Sequence, residues 1–256
     1  MVNCIGTLFL SSWGSGNTAE LSIRQDKWLG ASKIIRVHVC LADGPEKEWI
    51  IMTDTRKVFI SSAMLGKDNL AKYRSDNFDL QGKEFRFPIS YMLEQNVEQG
   101  DRVLLITNVK QTEYPQRHYE ELQAEAGAIV KAHGAEIEFV EVKEYLGYDG
   151  VALSSVFKQV ADLIQDGDRL YADLTFGTKA FTFAVFIGLA YAAKAGRDVD
   201  MDTLVYAEMY RGDDGKPAYS KLMDITSLFY INSIVGDAVP GQKDSLDNLL
   251  SMFLEA

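Results

Sequence analysis

Residues for cross-linking and metal binding are scarce in this chain. Two cysteines, Cys4 and Cys40, stand among 256 residues, each in an apolar, strand-like run. A lone pair without C-x-x-C spacing makes neither a disulfide framework nor a zinc site, and free thiols in a reducing cytoplasm are expected. The three histidines, His38, His118 and His133, show no metal-ligand spacing, so no metal is expected. The most apolar window, Ala180 to Ala193, is 14 residues long, against the roughly 20 that a membrane-spanning helix needs. Met1-Val2-Asn3-Cys4 carries neither the basic n-region nor the cleavage site of a secretory signal. A soluble, cytoplasmic protein without a membrane partner is the expectation.

Basic residues are in deficit too. Twenty-six Lys and Arg face 37 Asp and Glu, for a net charge of −11. Such a field argues against long nucleic acid and anionic membranes as partners. It leaves room for a small anion in a locally positive pocket. The apolar share of 47% and charged share of 25% are those of an ordinary globular protein.

The pattern predicts an α/β fold: a Rossmann-like, doubly wound, mainly parallel sheet with a β-rich insertion in the first hundred residues. Cys4 to Leu10 has the character of a first buried strand. Lys33 to Leu41 and Glu48 to Thr53 form strands about the Ala42-Asp43-Gly44-Pro45 turn, with Thr55 to Ile60 pairing beside them. A short helix, Tyr91 to Glu98, follows. From Gly100 strands and helices alternate: Arg102–Thr107, helix Gln116–His133, Ala135–Val142, helix Val151–Gln165, then Leu170–Leu174. The loops after Leu10, Thr107, Val142, Leu174 and Tyr210 would gather at one edge. The expected division is a domain over 1–236, with the insertion at 33–98, and a hinge and short helix over 237–256.

The stretch Leu170 to Lys194 organises the rest. A strand turns through Thr175-Phe176-Gly177-Thr178 into an Ala-, Phe- and Ile-rich helix. That turn belongs at the carboxyl edge of the sheet, where open α/β folds bind ligands. Thr175 and Thr178 offer hydroxyls, Gly177 permits a close backbone approach, and a helix N-terminus favours an anion. Lys179 sits where the helix dipole disfavours a cation unless an anion is bound. The same residues also fit a plain helix cap, with Asp173 and Thr175 capping and Lys179 solvated.

Asp173-Leu174-Thr175-Phe176-Gly177-Thr178-Lys179, followed by a long helix of small and apolar residues, resembles the signature turn of the CRISPR-associated Rossmann-fold (CARF) domain. That domain is the sensor of ancillary proteins in type III CRISPR systems. Phe176 departs from the family's usual Gly or His. Strand Thr203–Tyr210, a Gly-Asp-Asp-Gly hairpin and Leu222-Met223-Asp224-Ile225-Thr226 are similar to the end of the same domain. The resemblance covers roughly Gly100 to Val235. It implies a homodimer that binds a cyclic oligoadenylate, the tetra-adenylate first, by two-fold symmetry. It implies no cofactor, and either a separate or fused effector domain or cleavage of the ring by the chain itself. Metal-free cleavage needs a ribose 2′-OH held in line with its phosphate and a cation for the pentavalent charge. Lys179 suits the cation, and Ser11 or Ser12 the orienting hydroxyl. Trp13, Gly14, Ser15, Thr107, Asn108, Asp173, Thr175, Phe176, Gly177, Thr178 and Tyr210 complete the expected ligand site, with Trp13, Phe176 and Tyr210 candidates for stacking on adenine.

Other constellations are weaker. Gly14-x-Gly16-x-x-Ala19 after a strand, with Asp43 about 24 residues on, matches a dinucleotide fingerprint, which requires a helix directly after its glycines. Strands over Asn17 to Lys27 would count against it. Asp101 with Glu141-Val142-Lys143 has the residue types of a metal-dependent nuclease, but E-x-K is common by chance. Arg117 and His118 are adjacent, unlike the R-x4-6-H pair of the ribonuclease domain often fused to CARF domains. The C-terminal set Leu246, Leu249, Leu250 and Phe253 makes one apolar helix face.

Overall fold

The computed structural model describes residues 4–10, 19–29, 32–41, 47–54, 56–66, 72–80, 82–144, 150–196, 198–237, 241 and 243–254, with those up to 54 described as backbone alone. The first four strands are β1 (Cys4–Leu10), β2 (Ala19–Leu29), β3 (Ser32–Leu41) and β4 (Lys47–Asp54), and they form an antiparallel sheet in chain order. Leu21 stands opposite Leu8 and Val39, and Val37 opposite Ile23 and Trp49. Apolar residues thus meet apolar residues across the ladder, as a two-residue period requires.

The second sheet holds β5 (Arg56–Ser62), β6 (Tyr73–Arg74), β7 (Arg102–Lys110), β8 (Glu136–Glu144), β9 (Arg169–Asp173), β10 (Asp200–Arg211) and β11 (Pro217–Asp224). Its order is β6-β11-β10-β9-β5-β7-β8, and β8, β7, β5, β9 and β10 are mutually parallel. Numbered as the chain makes them, these five run 3-2-1-4-5. This is the order of a doubly wound nucleotide-binding sheet, with its switch point between β5 and β9.

The helices are α1 (Pro88–Asn96), α2 (Glu113–Ala132), α3 (Gly150–Leu163), α4 (Lys179–Ala195), α5 (Thr226–Asp237) and α6 (Lys243–Leu254). Alternate residues of the central strands supply two cores. Phe59, Val103, Leu105 and Tyr171 pack with α1 and α2, while Val58, Ile60, Leu104, Ile106, Leu170 and Ala172 pack with α3, α4 and α5. Because both faces are covered, the middles of the central strands are unbroken apolar runs, over residues 58–60, 103–106 and 170–172, as in buried parallel strands. Each fully buried Leu or Ile contributes roughly 1.5–3 kcal/mol.

The amino edge of this sheet is fixed by ions. Arg56 makes a bidentate pair with Asp168 at 3.0 and 2.7 Å, and Lys57 pairs with buried Asp101 at 2.6 Å. Two neighbouring residues at the start of the central strand thereby pin the strands on either side. Each aspartate also accepts a backbone N–H three residues upstream, from Gln165 and Glu98, both at 2.7 Å.

Three expectations are corrected. Cys4–Leu10 is an edge strand of the antiparallel sheet and does not open the parallel one. Thr55 to Ile60 was expected to pair with the preceding strands, yet Arg56–Ser62 is the central strand of the parallel sheet. The β-rich stretch therefore precedes that sheet in the chain. Ala19–Leu29 is a strand where the dinucleotide fingerprint requires a helix, which counts against that alternative.

Candidate functional site

The carboxyl edge at the switch point is built from the ends of β5, β7 and β9. β9 ends at Asp173, which is 2% exposed. Its carboxylate accepts the Thr175 amide at 2.9 Å, the Thr175 hydroxyl, and the Ile89 amide in the first turn of α1. Phe87 caps α1 without a side-chain hydrogen bond, so Asp173 supplies that helix with an acceptor from another element. Burial pushes the Asp173 carboxyl up to about 6 against the lowering effect of those three donors. The Thr175 hydroxyl in turn accepts the Ala207 amide of β10 at 2.9 Å. Asp173 and Thr175 thus join β9, β10 and α1, and their polar atoms are spent on the frame.

The residues after them are half-buried up to Thr178, and Lys179 is exposed. Phe176 is partly buried against the α1/α2 core. Gly177 has φ +97°, and a Cβ there would lie 2.8 Å from the Ser62 hydroxyl and 3.0 Å from the Ser62 Cβ. Only glycine accommodates both the left-handed backbone and that approach. Thr178 is the N-cap of α4, its side chain accepting from the Phe181 amide. Lys179 is exposed in the first turn.

Facing this turn across the switch point are the ends of β5 and β7. Ser61 stands beside Thr107, and Ser62 beside Asn108. All four are buried. The hydroxyls of Ser61 and Thr107 have no hydrogen-bond partner among the described residues. A buried hydroxyl in that state costs roughly 1–3 kcal/mol, and such groups concentrate where a site has a use for them. Helix terminus, exposed lysine and hydroxyls together make an edge suited to a phosphate ester.

Of the residues expected in the site, Thr107, Asn108, Asp173, Thr175, Phe176, Gly177, Thr178 and Lys179 come together at this edge. Tyr210 lies farther along β10, paired with Tyr219 of β11. Ser11, Ser12, Trp13, Gly14 and Ser15 lie outside the described residues. Ser61 and Ser62 went unrecognised in the sequence. The signal was there: Lys57-Val58-Phe59-Ile60 lacks alternation, like Val103 to Ile106, and ends in two small hydroxyl residues.

Two other clusters have structural roles. Asp101 lies at the amino end of β7, whereas Glu141 to Lys143 pair with Thr107 to Val109 near its carboxyl end, so the nuclease-like acids do not meet. His118 is fully buried, its Nε2 3.0 Å from the Gly66 carbonyl and its Nδ1 2.9 Å from Glu121. It ties α2 to the segment after β5. Among the described residues no group of three His, Cys, Asp or Glu is placed to hold a metal, and no helix is long and apolar enough to cross a membrane.

A scan against protein-family models finds no match to this chain, and a comparison with curated proteins finds none either.

Proposed function

We propose that this chain is a homodimeric, CARF-like sensor that binds a cyclic oligoadenylate, most readily the cyclic tetra-adenylate, in type III CRISPR antiviral defence. The observation that carries this reading is the Asp173–Lys179 turn at the switch point of a 3-2-1-4-5 sheet. It combines the family-like residues with an exposed Lys179 and with Gly177 pressed on Ser62. Lys179 and the α4 N-terminus receive a phosphate, and Thr107 and Asn108 line the opposite side. A dimer is supported by the outer face of α4, where Phe183, Ile187 and Tyr191 stand exposed at i, i+4, i+8 spacing. A second copy on that face would bring two such turns to one two-fold ligand.

A second reading makes the chain a stand-alone, metal-independent ring nuclease. The Ser62 hydroxyl beside the turn favours it, because a hydroxyl next to a phosphate site can orient the ribose 2′-OH for in-line attack while Lys179 stabilises the developing charge. Ser62 takes here the role that the sequence suggested for Ser11 or Ser12.

Mass spectrometry of the protein mixed with cyclic tri-, tetra- and hexa-adenylate in EDTA separates the readings. Retention of an intact ring supports the sensor, and linear products ending in a 2′,3′-cyclic phosphate support the nuclease. Binding of no ring refutes both.

A further inference from the structure

β10 runs on past the parallel sheet. Its last partner on β9 is Asp173, opposite Val205, and it continues beside β11 to Arg211. Val205, Ala207 and Leu222 pack in the α1/α2 core, and Leu204 in the other. By alternation, Tyr206, Glu208 and Tyr210 of β10 and Tyr219 and Lys221 of β11 face the α4 side. Tyr206 and Tyr210 remain 39% and 37% exposed. Tyr210 stacks on Tyr219 with centroids 4.8 Å apart and planes 8° apart, and the Arg74 guanidinium lies 4.5 Å from the Tyr219 centroid. Glu208, between the two exposed tyrosines, accepts the Tyr210 hydroxyl at 3.0 Å.

This face is continuous with the phosphate-receiving turn. The Leu174 amide donates to the Val205 carbonyl at 3.0 Å and the Ala207 amide to the Thr175 hydroxyl at 2.9 Å. Tyr206 stands between those two bonds.

We propose that Tyr206, Glu208 and Tyr210 form a base-binding subsite beside the Lys179 turn, taking a nucleobase that carries an exocyclic amino group, adenine first. The tyrosine rings supply flat, exposed surface for stacking, which is sequence-tolerant. The Glu208 carboxylate supplies the selection. It accepts from an amino group such as that of adenine and repels the carbonyl that hypoxanthine carries at the same position. The assignment rests on the oligoadenylate reading for the identity of the base, and on the sheet face for its place.

Titrations of the full chain with adenosine 5′-monophosphate, inosine 5′-monophosphate, ribose 5-phosphate and cyclic tetra-adenylate test it. Y206A and Y210A are expected to weaken adenosine monophosphate and the ring by roughly tenfold each, with ribose 5-phosphate unchanged. Y206F should bind as wild type, and E208A should lose the preference for the adenosine over the inosine nucleotide. Melting curves check that the variants remain folded. Unchanged affinities in Y206A and Y210A, or no advantage of adenosine monophosphate over ribose 5-phosphate, overturn the subsite. A dimer that dissociates in Y206A without loss of nucleotide affinity also overturns it, making the face a contact between copies. Tyrosine-dependent binding of adenosine monophosphate without binding of any ring keeps the subsite and refutes the oligoadenylate reading.

Discussion

The Ser62 hydroxyl stands 2.8 Å from the point where Gly177 would carry a Cβ. Through this contact the end of β5 touches the turn that leads from β9 into α4 at the switch point. A methyl group at Gly177 meets both an unfavourable φ and an occupied space. G177A is expected to cost about 2–3 kcal/mol in urea unfolding. In the background of S62A the same substitution should cost about 1 kcal/mol less, since the clash is relieved and the backbone strain is not. Equal costs in the two backgrounds would refute the contact.

Asp173 predicts a pH dependence of definite sign. Its folded-state value, about 6, lies above the ordinary 3.8, so the folded protein binds the proton more tightly than the unfolded chain. The resulting stabilisation is full below pH 3.8, declines as pH rises, and is lost above about 6. Relative to D173N, wild-type stability should fall across that window by at most about 3 kcal/mol. Denaturant midpoints at pH 4, 5, 6 and 7 measure it. A parallel pair of curves, or a wild type that gains on D173N with rising pH, contradicts the burial account.

Thr175 and Thr178 look alike in the sequence, and they should respond differently. T175V removes the acceptor of the Ala207 amide and a donor to Asp173, leaving buried groups unpaired at a cost of about 1–3 kcal/mol. T178A removes an N-cap bond of 3.4 Å, with a cost of about 0.5–1 kcal/mol. The ranking in thermal unfolding, T175V below T178A, is the test.

At the opposite edge, D101A leaves Lys57 without its carboxylate in a largely buried place and is expected to cost about 3 kcal/mol. Replacing both partners, as K57M with D101L, should cost less than D101A alone. A double variant that is weaker than the single would show the pair itself to be the stabilising element.

The parallel half of the fold was legible because its physics is local. From Gly100 onward, unbroken apolar runs alternate with amphipathic helices, and the turn Asp173 to Lys179 declares a strand feeding a helix. The first hundred residues misled for a physical reason. Val58-Phe59-Ile60 is as apolar as the strands of the antiparallel sheet before it, and only tertiary pairing tells a central parallel strand from another hairpin strand. The acids that pin it, Asp101 and Asp168, lie 44 and 111 residues beyond Lys57, so no local pattern joins them to Arg56 and Lys57. With β5 misplaced, Ser61 and Ser62 went unseen. The structural work of Asp173 was equally hidden, because the α1 amide that it accepts comes from a helix 84 residues upstream.

Calorimetric titration of cyclic tetra-adenylate into the wild type and K179A, in EDTA, tests the central claim most directly. The site predicts saturable binding to the wild type and a loss of roughly tenfold or more in K179A, which removes one charge-assisted phosphate contact from an exposed position and leaves the fold intact. Equal affinity in the two proteins, or no binding to the wild type, would contradict the placement of an oligoadenylate at this turn.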